Sequence, residues 1–347
     1  MTLVIALDGM GGDAAPGIVV EGAGMALRDQ PDLRFLMFGD RQRIDPLLAA
    51  DTTLAGRVEL VHTPDFVASD AKPSQAVRQG RNTSMRLAVD AVKSGAAAAA
   101  ISAGNTGALM GMATLVLRTL PGIDRPAIAA TLPTRKKPVI VLDLGANVVC
   151  TDDNLLQFGV MGEVFSRVVL GVAKPRVALL NIGTEELKGD DVVRQAAARL
   201  KDASLHIDFI GFIEGHDVTD GVADVVVTDG FTGNVALKIA EGTAGMFTAA
   251  MRDVFSSGWR AKLGYLVSRP ALRMLRDRFD PRRYNGAMFL GLNGVVVKSH
   301  GGTDAIGFAN AVRVAADLVR QRTNERIIEE MAELAARRPE APARAAS

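Results

Sequence analysis

LVIALDGMGGDAAP, residues 3–16, holds the pattern that decides the fold: a short apolar run, a turn of glycines flanked by two aspartates, and then a segment with helical spacing. A β-rich run that ends in a Gly/Asp/Asn loop and hands over to a helix is the unit of a parallel sheet with crossover helices. The unit recurs along the chain. Apolar runs at Leu3–Leu7, Arg34–Phe38, Arg57–Val61, Ala98–Ser102, Ile128–Leu132, Pro138–Leu142, Arg176–Asn181, Ile207–Ile210, Val225–Thr228 and Gly294–Lys298 give ten strand candidates in one alternating series. We expect an α/β fold, a layered α/β/α sandwich on a mostly parallel sheet. No linker rich in Pro, Gly or Ser divides the middle, so residues 1–336 are expected to form a single large unit. The Ala/Pro/Arg-rich stretch 337–347 is expected to be a disordered tail.

Composition narrows the function. The chain has 347 residues, 48% hydrophobic and 23% charged, which is ordinary for a globular protein with a sizeable core. A net charge of +1 and only 16 aromatics argue against nucleic-acid binding. The single cysteine, Cys150, can neither close an internal disulfide nor build a Cys-rich zinc site, so a reducing, cytoplasmic setting is expected, with no metal. The four histidines, His62, His206, His216 and His300, form no zinc-protease spacing. No export signal and no apolar run of membrane-spanning length is present.

Chemistry in open parallel sheets gathers at strand ends, where free backbone N–H groups and helix dipoles converge on anions. Five glycine-bearing loops occupy such positions: 8–16, 102–108, 143–147, 181–189 and 229–234. They nominate Asp8, Gly11, Gly12 and Asp13, then Ser102, Asn105, Thr106 and Gly107, then Asp143 and Asn147, and finally Asp229, Thr232 and Gly233 as binding residues of one polar cleft. Helix capping explains Asn105 or Thr106 equally well. Lys188 is the candidate cation and Asn234 the candidate amide donor, against the plainer readings of a solvated loop lysine and a helix cap. His300, directly after an apolar run, can line the cleft or serve structurally. Gly9, Gly11 and Ala14 match a dinucleotide fingerprint, but Asp8 and Asp13 would repel a pyrophosphate there, so no cofactor is assigned.

From Arg260 to Arg283 eight basic side chains face two acidic ones. Leu263, Leu266 and Val267 form one apolar stripe before Pro270, and Leu272, Leu275 and Phe279 another after it. Residues 259–284 are therefore expected to fold as two short basic helices, an inserted hairpin. Leu263, Leu266, Arg273 and Arg276 are its candidates for contact with a membrane or a partner, a solvated arm of a dimer being the alternative.

The ordered motifs IALDGMGGD, SAGNTGALM, LDLGANV, NIGTEELKG, FIEGHD, VVTDGFTGNVALK, GAMFLGLNG and VVKSHG, spanning Val4 to Phe308, resemble the PlsX family of bacterial phosphate acyltransferases. Departures are small: Gly9 stands where the family usually has alanine, and Gly302-Thr303 replaces smaller residues. The resemblance implies a three-layer sandwich similar to isocitrate and isopropylmalate dehydrogenases, a homodimer, and transfer of an acyl group from acyl-carrier protein to inorganic phosphate without a cofactor. It implies catalytic roles for Lys188 and Asn234. The basic hairpin adds the expectation of peripheral attachment to the inner face of the cell membrane, with a glycerol-3-phosphate acyltransferase as a candidate downstream partner. A phosphotransacetylase-like enzyme using acyl-coenzyme A, a noncatalytic membrane scaffold and a dehydrogenase are the competing readings.

Overall fold

The computed structural model describes residues 2–202 and 207–337; positions 338–347, expected as a tail, lie outside the described residues. Strands β1 (Leu3–Asp8), β2 (Leu33–Gly39), β3 (Val58–His62), β4 (Ala99–Ser102), β5 (Ala127–Leu132), β6 (Val139–Leu142), β7 (Arg176–Leu180), β8 (Asp208–Ile213), β9 (Val225–Val227), β10 (Ala287–Leu290) and β11 (Val295–Lys298) form one sheet. Its order is β3-β2-β1-β4-β11-β10-β5-β6-β9-β7-β8. All ten expected strands are present. The eleventh, β10, lies in GAMFLGLNG, where glycines bracket four residues too short to show a period.

Side chains alternate across each strand, so the sheet buries two faces. Ile5, Leu7, Val295 and Val297 point into one core, and Ala6, Ala100 and Val296 into the other. Helices α1 (Gly17–Asp29), α2 (Arg41–Ala50), α6 (Asp152–Leu170), α7 (Asp191–Asp202), α11 (Ala305–Arg320) and α12 (Thr323–Arg337) cover the first face. Helices α3 (Pro73–Gln79), α4 (Ser84–Lys93), α5 (Thr106–Leu117), α8 (Gly215–Asp220) and the start of α9 (Gly230–Ser256) cover the second. α6 begins with a reciprocal cap between Thr151 and Asn154 and buries Phe158 and Phe165 almost completely. Truncating either ring costs about 3–5 kcal/mol.

Strand direction, which hydrophobic periodicity does not encode, organises the functional loops. β3, β2, β1, β4 and β11 run parallel, as do β6, β9, β7 and β8. Between the two sets, β10 is antiparallel to β11 and β5, and β5 is antiparallel to β6. Three reversals leave the two parallel sets pointing in opposite directions. The loops after β1, β4 and β11 therefore lie at one rim of the sheet, and those after β6, β7 and β9 at the other. The single cleft expected from all five loops is corrected to two rims.

The hairpin also differs from expectation. Residues 259–278 form one helix, α10 (Trp259–Arg278), with Pro270 inside it, and a short 3₁₀ turn follows at Pro281–Tyr284. The helix continues because proline there removes one N–H partner from a carbonyl on an exposed helix, where water replaces it. The other arm of the hairpin is α9, joined through Ser257 and Gly258, and Phe255 of α9 meets Tyr265 of α10 edge-on at 5.5 Å.

Candidate functional site

At the first rim, Asp8 closes β1 as a carboxylate only 1% exposed. It accepts hydrogen bonds from the Ser84 and Ser102 hydroxyls, each at 2.6 Å, and from the Met10 N–H at 3.3 Å. Burial pushes its carboxyl above the usual range, while these donors and the charge of Lys298 pull the other way. Ser102 Oγ also accepts the Gly104 N–H at 3.0 Å. A Cβ on Gly11 would lie 2.4 Å from Asp8 Oδ2, so the loop wraps the carboxylate too closely for a side chain. Gly12 sits at φ +111°, a conformation that strains other residues. Asp13 is exposed, and its N–H donates to the Gly301 carbonyl at 3.0 Å, tying the β1 loop to the loop after β11.

Asn105 caps α5, its Oδ1 accepting the Ala108 N–H at 2.9 Å. Its amide nitrogen donates to the carbonyls of Ser69 and Ala71 at 2.9 and 3.1 Å, fixing the loop that carries Phe66 and Val67. Thr106 and Gly107 follow as the first helical residues, whose N–H groups have no intrahelical partner. His300 is exposed: its N–H donates to Asn285 Oδ1 at 2.9 Å and its Nδ1 accepts the Gly302 N–H at 3.2 Å. These loops enclose a cavity of about 610 Å³, lined by Met10, Gly12, Asp13, Phe66–Ser69, Ala103–Gly107, Lys298 and Gly301. Lys298, on the same sheet face as Asp8 and Ser102, donates to the carbonyls of Ala103, at 3.3 Å, and Ser299. Burial, aided by repulsion from Lys238, lowers it to about 8 against the attraction of Asp8 and Asp13. Sequence reading passed over Lys298 and Ser84. A charged residue closing an apolar run beside His300 was the available signal for the first.

At the opposite rim, Asp143 is fully buried after β6. It accepts from the N–H groups of Ile128, Gly145, Ala146 and Asn147 at 2.7–3.2 Å and from the Asn147 amide at 2.9 Å. Burial raises its carboxyl and these donors oppose the rise. The Asn147 amide also donates to the Pro126 carbonyl at 2.8 Å. Asp229 caps α9, accepting the Thr232 N–H at 2.9 Å and its hydroxyl at 2.7 Å. A Cβ on Gly233 would fall 1.9 Å from the Asp143 carbonyl oxygen, which fixes how closely α9 enters the rim. Asn234 is exposed beside Gly145. Lys188 is exposed in the loop after β7, where its carbonyl accepts from Asn181 Nδ2 at 3.0 Å. Cys150 is buried near Asn147 and pushed up to about 11 by burial and by the charge of Asp143.

One element connects the rims. α9 starts among the Asp143 loops, packs Leu237 on the second core and brings Lys238 close enough to repel Lys298. Asn234 thus stands one turn before a residue that senses the cavity, whereas no described contact joins Lys188 to it. Leu263, Leu266, Arg273 and Arg276 are all exposed on α10. No helix among the described residues is long and apolar enough to cross a membrane.

A family model described as fatty acid synthesis protein matches residues 3–326. A phosphate acyltransferase of Rhodospirillum rubrum is 58% identical over 333 residues, covering 96% of this chain and 95% of its own. One of Paramagnetospirillum magneticum is 57% identical over 94% of this chain and 93% of its own. Among solved structures, a phosphotransacetylase from Streptococcus pyogenes superposes with a TM-score of 0.64 at 18% identity, covering 92% of this chain and 94% of that one. The EutD phosphotransacetylase from Staphylococcus aureus gives 0.60 at 16%, with the same coverage of both chains. At such identities the two structures establish the shared fold. The chain is an enzyme, an acyltransferase. It belongs to the fatty acid synthesis protein family, the family of the PlsX phosphate acyltransferases that its ordered motifs resemble.

Proposed function

We propose that this acyltransferase moves the acyl group of an acyl-carrier-protein thioester onto inorganic phosphate, by direct attack of phosphate on the thioester carbonyl. The observation that carries the reading is the cavity at the first rim, about 610 Å³, where the leading N–H groups of α5 face a polar floor and Phe66 and Val67 supply an apolar wall. Partner-free backbone N–H groups at a helix start favour an anion. An apolar wall suits an acyl chain. Phosphate is its own nucleophile, so the reaction needs neither a covalent enzyme intermediate nor a cofactor. From the family resemblance, Lys188 and Asn234 take the catalytic roles: a compact cation for the phosphate or the departing sulfur, and a neutral donor for the tetrahedral oxyanion.

The α9–α10 hairpin supports the rest of the reading. It leaves Met246, Phe247, Val254, Leu266, Val267 and Met274 exposed beside a row of arginines. Such a surface suits pairing with a second copy and reversible attachment to anionic lipid at the cytoplasmic face, each basic residue adding about 1 kcal/mol.

The test is an assay for hydroxylamine-trappable acyl phosphate with acyl-carrier-protein thioester and phosphate, and with acyl-coenzyme A as the rival donor. Phosphate-dependent product with sequential kinetics is expected. Its absence rejects the function, and equal use of both thioesters rejects the carrier-protein donor. Sedimentation with anionic vesicles tests the surface: Arg273→Glu with Arg276→Glu should weaken binding, and unchanged binding removes the membrane reading.

A further inference from the structure

We propose that Lys298 is the cation that holds the reacting phosphate, its ammonium facing the dianion across the cavity from the first N–H groups of α5. The inference deepens the proposed function and rests on it, and of the two roles given there to Lys188 it leaves the departing sulfur. Among the described residues that line the cavity, Lys298 is the cationic one. β11 delivers it beside the end of β4, in register with Ser102, on the face that carries Asp8. Two of its three protons go to the carbonyls of Ala103 and Ser299, which fixes the head group and leaves one donor for a ligand. The neighbouring charges are Asp8 on β1, Asp13 in the loop after it and Lys238 on α9, with His300 two residues along the chain.

The reaction balances with these groups. A phosphate oxygen forms the bond to the thioester carbonyl carbon and the carbon–sulfur bond breaks. The single proton of HPO₄²⁻, hydrogen-bonded to the Asp13 carboxylate while phosphate is bound, ends on the departing sulfur. The products are the acyl phosphate dianion and a thiol. Lys298 changes no bond; it neutralises the dianion and orients its nucleophilic oxygen. The lowered proton affinity of Lys298 fits this place, since the same burial that weakens its hold on a proton strengthens a charge-assisted bond to phosphate.

The experiment is initial-rate kinetics on Lys298→Met and Lys298→Arg, with each variant's fold checked by its melting transition. For Lys298→Met the KM for phosphate should rise about 30-fold or more while the KM for the acyl donor stays within about threefold, a split that a general loss of structure does not produce. Lys298→Arg, which keeps the charge, should recover most of the phosphate affinity. With wild-type protein, the phosphate KM should climb above about pH 8, where phosphate is already a dianion and Lys298 loses its charge. That pH series decides the matter even if Lys298→Met does not fold. A phosphate KM that is flat through this range, or unmoved in folded Lys298→Met, overturns the proposal. Wild-type protein that makes no acyl phosphate at all rejects the function instead.

Discussion

Asp8 and Asp143 occupy similar places, Asp8 closing β1 and Asp143 directly following β6, yet they are satisfied in different ways. Asp8 is held chiefly by two serine hydroxyls, Asp143 by four backbone N–H groups and one amide. A hydroxyl can turn to donate or accept, and a backbone N–H cannot. The first rim is an adjustable network next to an open cavity that a half-buried lysine lines, and the second is a rigid knot that anchors the start of α9. A buried carboxylate at a strand end is therefore no sign of chemistry in itself. What distinguishes the rims is the cation and the space beside it.

The contrast breaks first on activity. If the second rim reaches the reacting carbonyl, Lys188→Ala and Asn234→Ala should each lose on the order of 10²-fold in turnover, the scale of a lost oxyanion donor. Near-normal turnover in both folded variants confines the chemistry to the first rim. Stability sharpens it next. Asp143→Asn sets an NH₂ group against fixed N–H donors and should cost roughly 3 kcal/mol, whereas Asp8→Asn, facing hydroxyls that can rotate, should cost about 1 kcal/mol. Denaturant midpoints measure both, and equal losses would erase the distinction drawn between the networks. The smallest effect is expected at Cys150. Its thiol is buried and held protonated, so Cys150→Ala should keep substantial turnover in the acyl phosphate assay; a folded but inactive variant would make the second rim a nucleophile site.

Much of the architecture was legible because strand–loop–helix alternation is a local signal. The runs that became β1 to β9 and β11 announced themselves by composition and by the turn residues, most often glycine, that follow them. β10 did not, since AMFL between Gly286 and Gly291 is too short to separate from a loop. The three reversals around β10 and β5 were invisible for a deeper reason: a strand's residues do not record which way it runs, and direction alone sorted the loops into two rims. Pro270 misled through its ordinary effect, which exposure of α10 muted. Asn105 proved to be a cap, a reading that its place before a helix had left open, whereas the cap of α9 is Asp229 and Asn234 lies inside the helix. Lys298 escaped because its setting is assembled by β1, β4, α9 and β11, segments up to 290 positions apart in the chain.

Asn105 ties together two things that are usually separate. One side chain terminates α5 through its oxygen and fastens the 66–71 wall of the cavity through its nitrogen. Peeling that wall outward removes the partners that orient the amide, and a freely turning amide is a poor cap, so the wall and the first turn of α5 stand or fall as a cooperative pair. The mouth of the cavity then inherits the persistence of a helix terminus instead of the mobility of a surface loop.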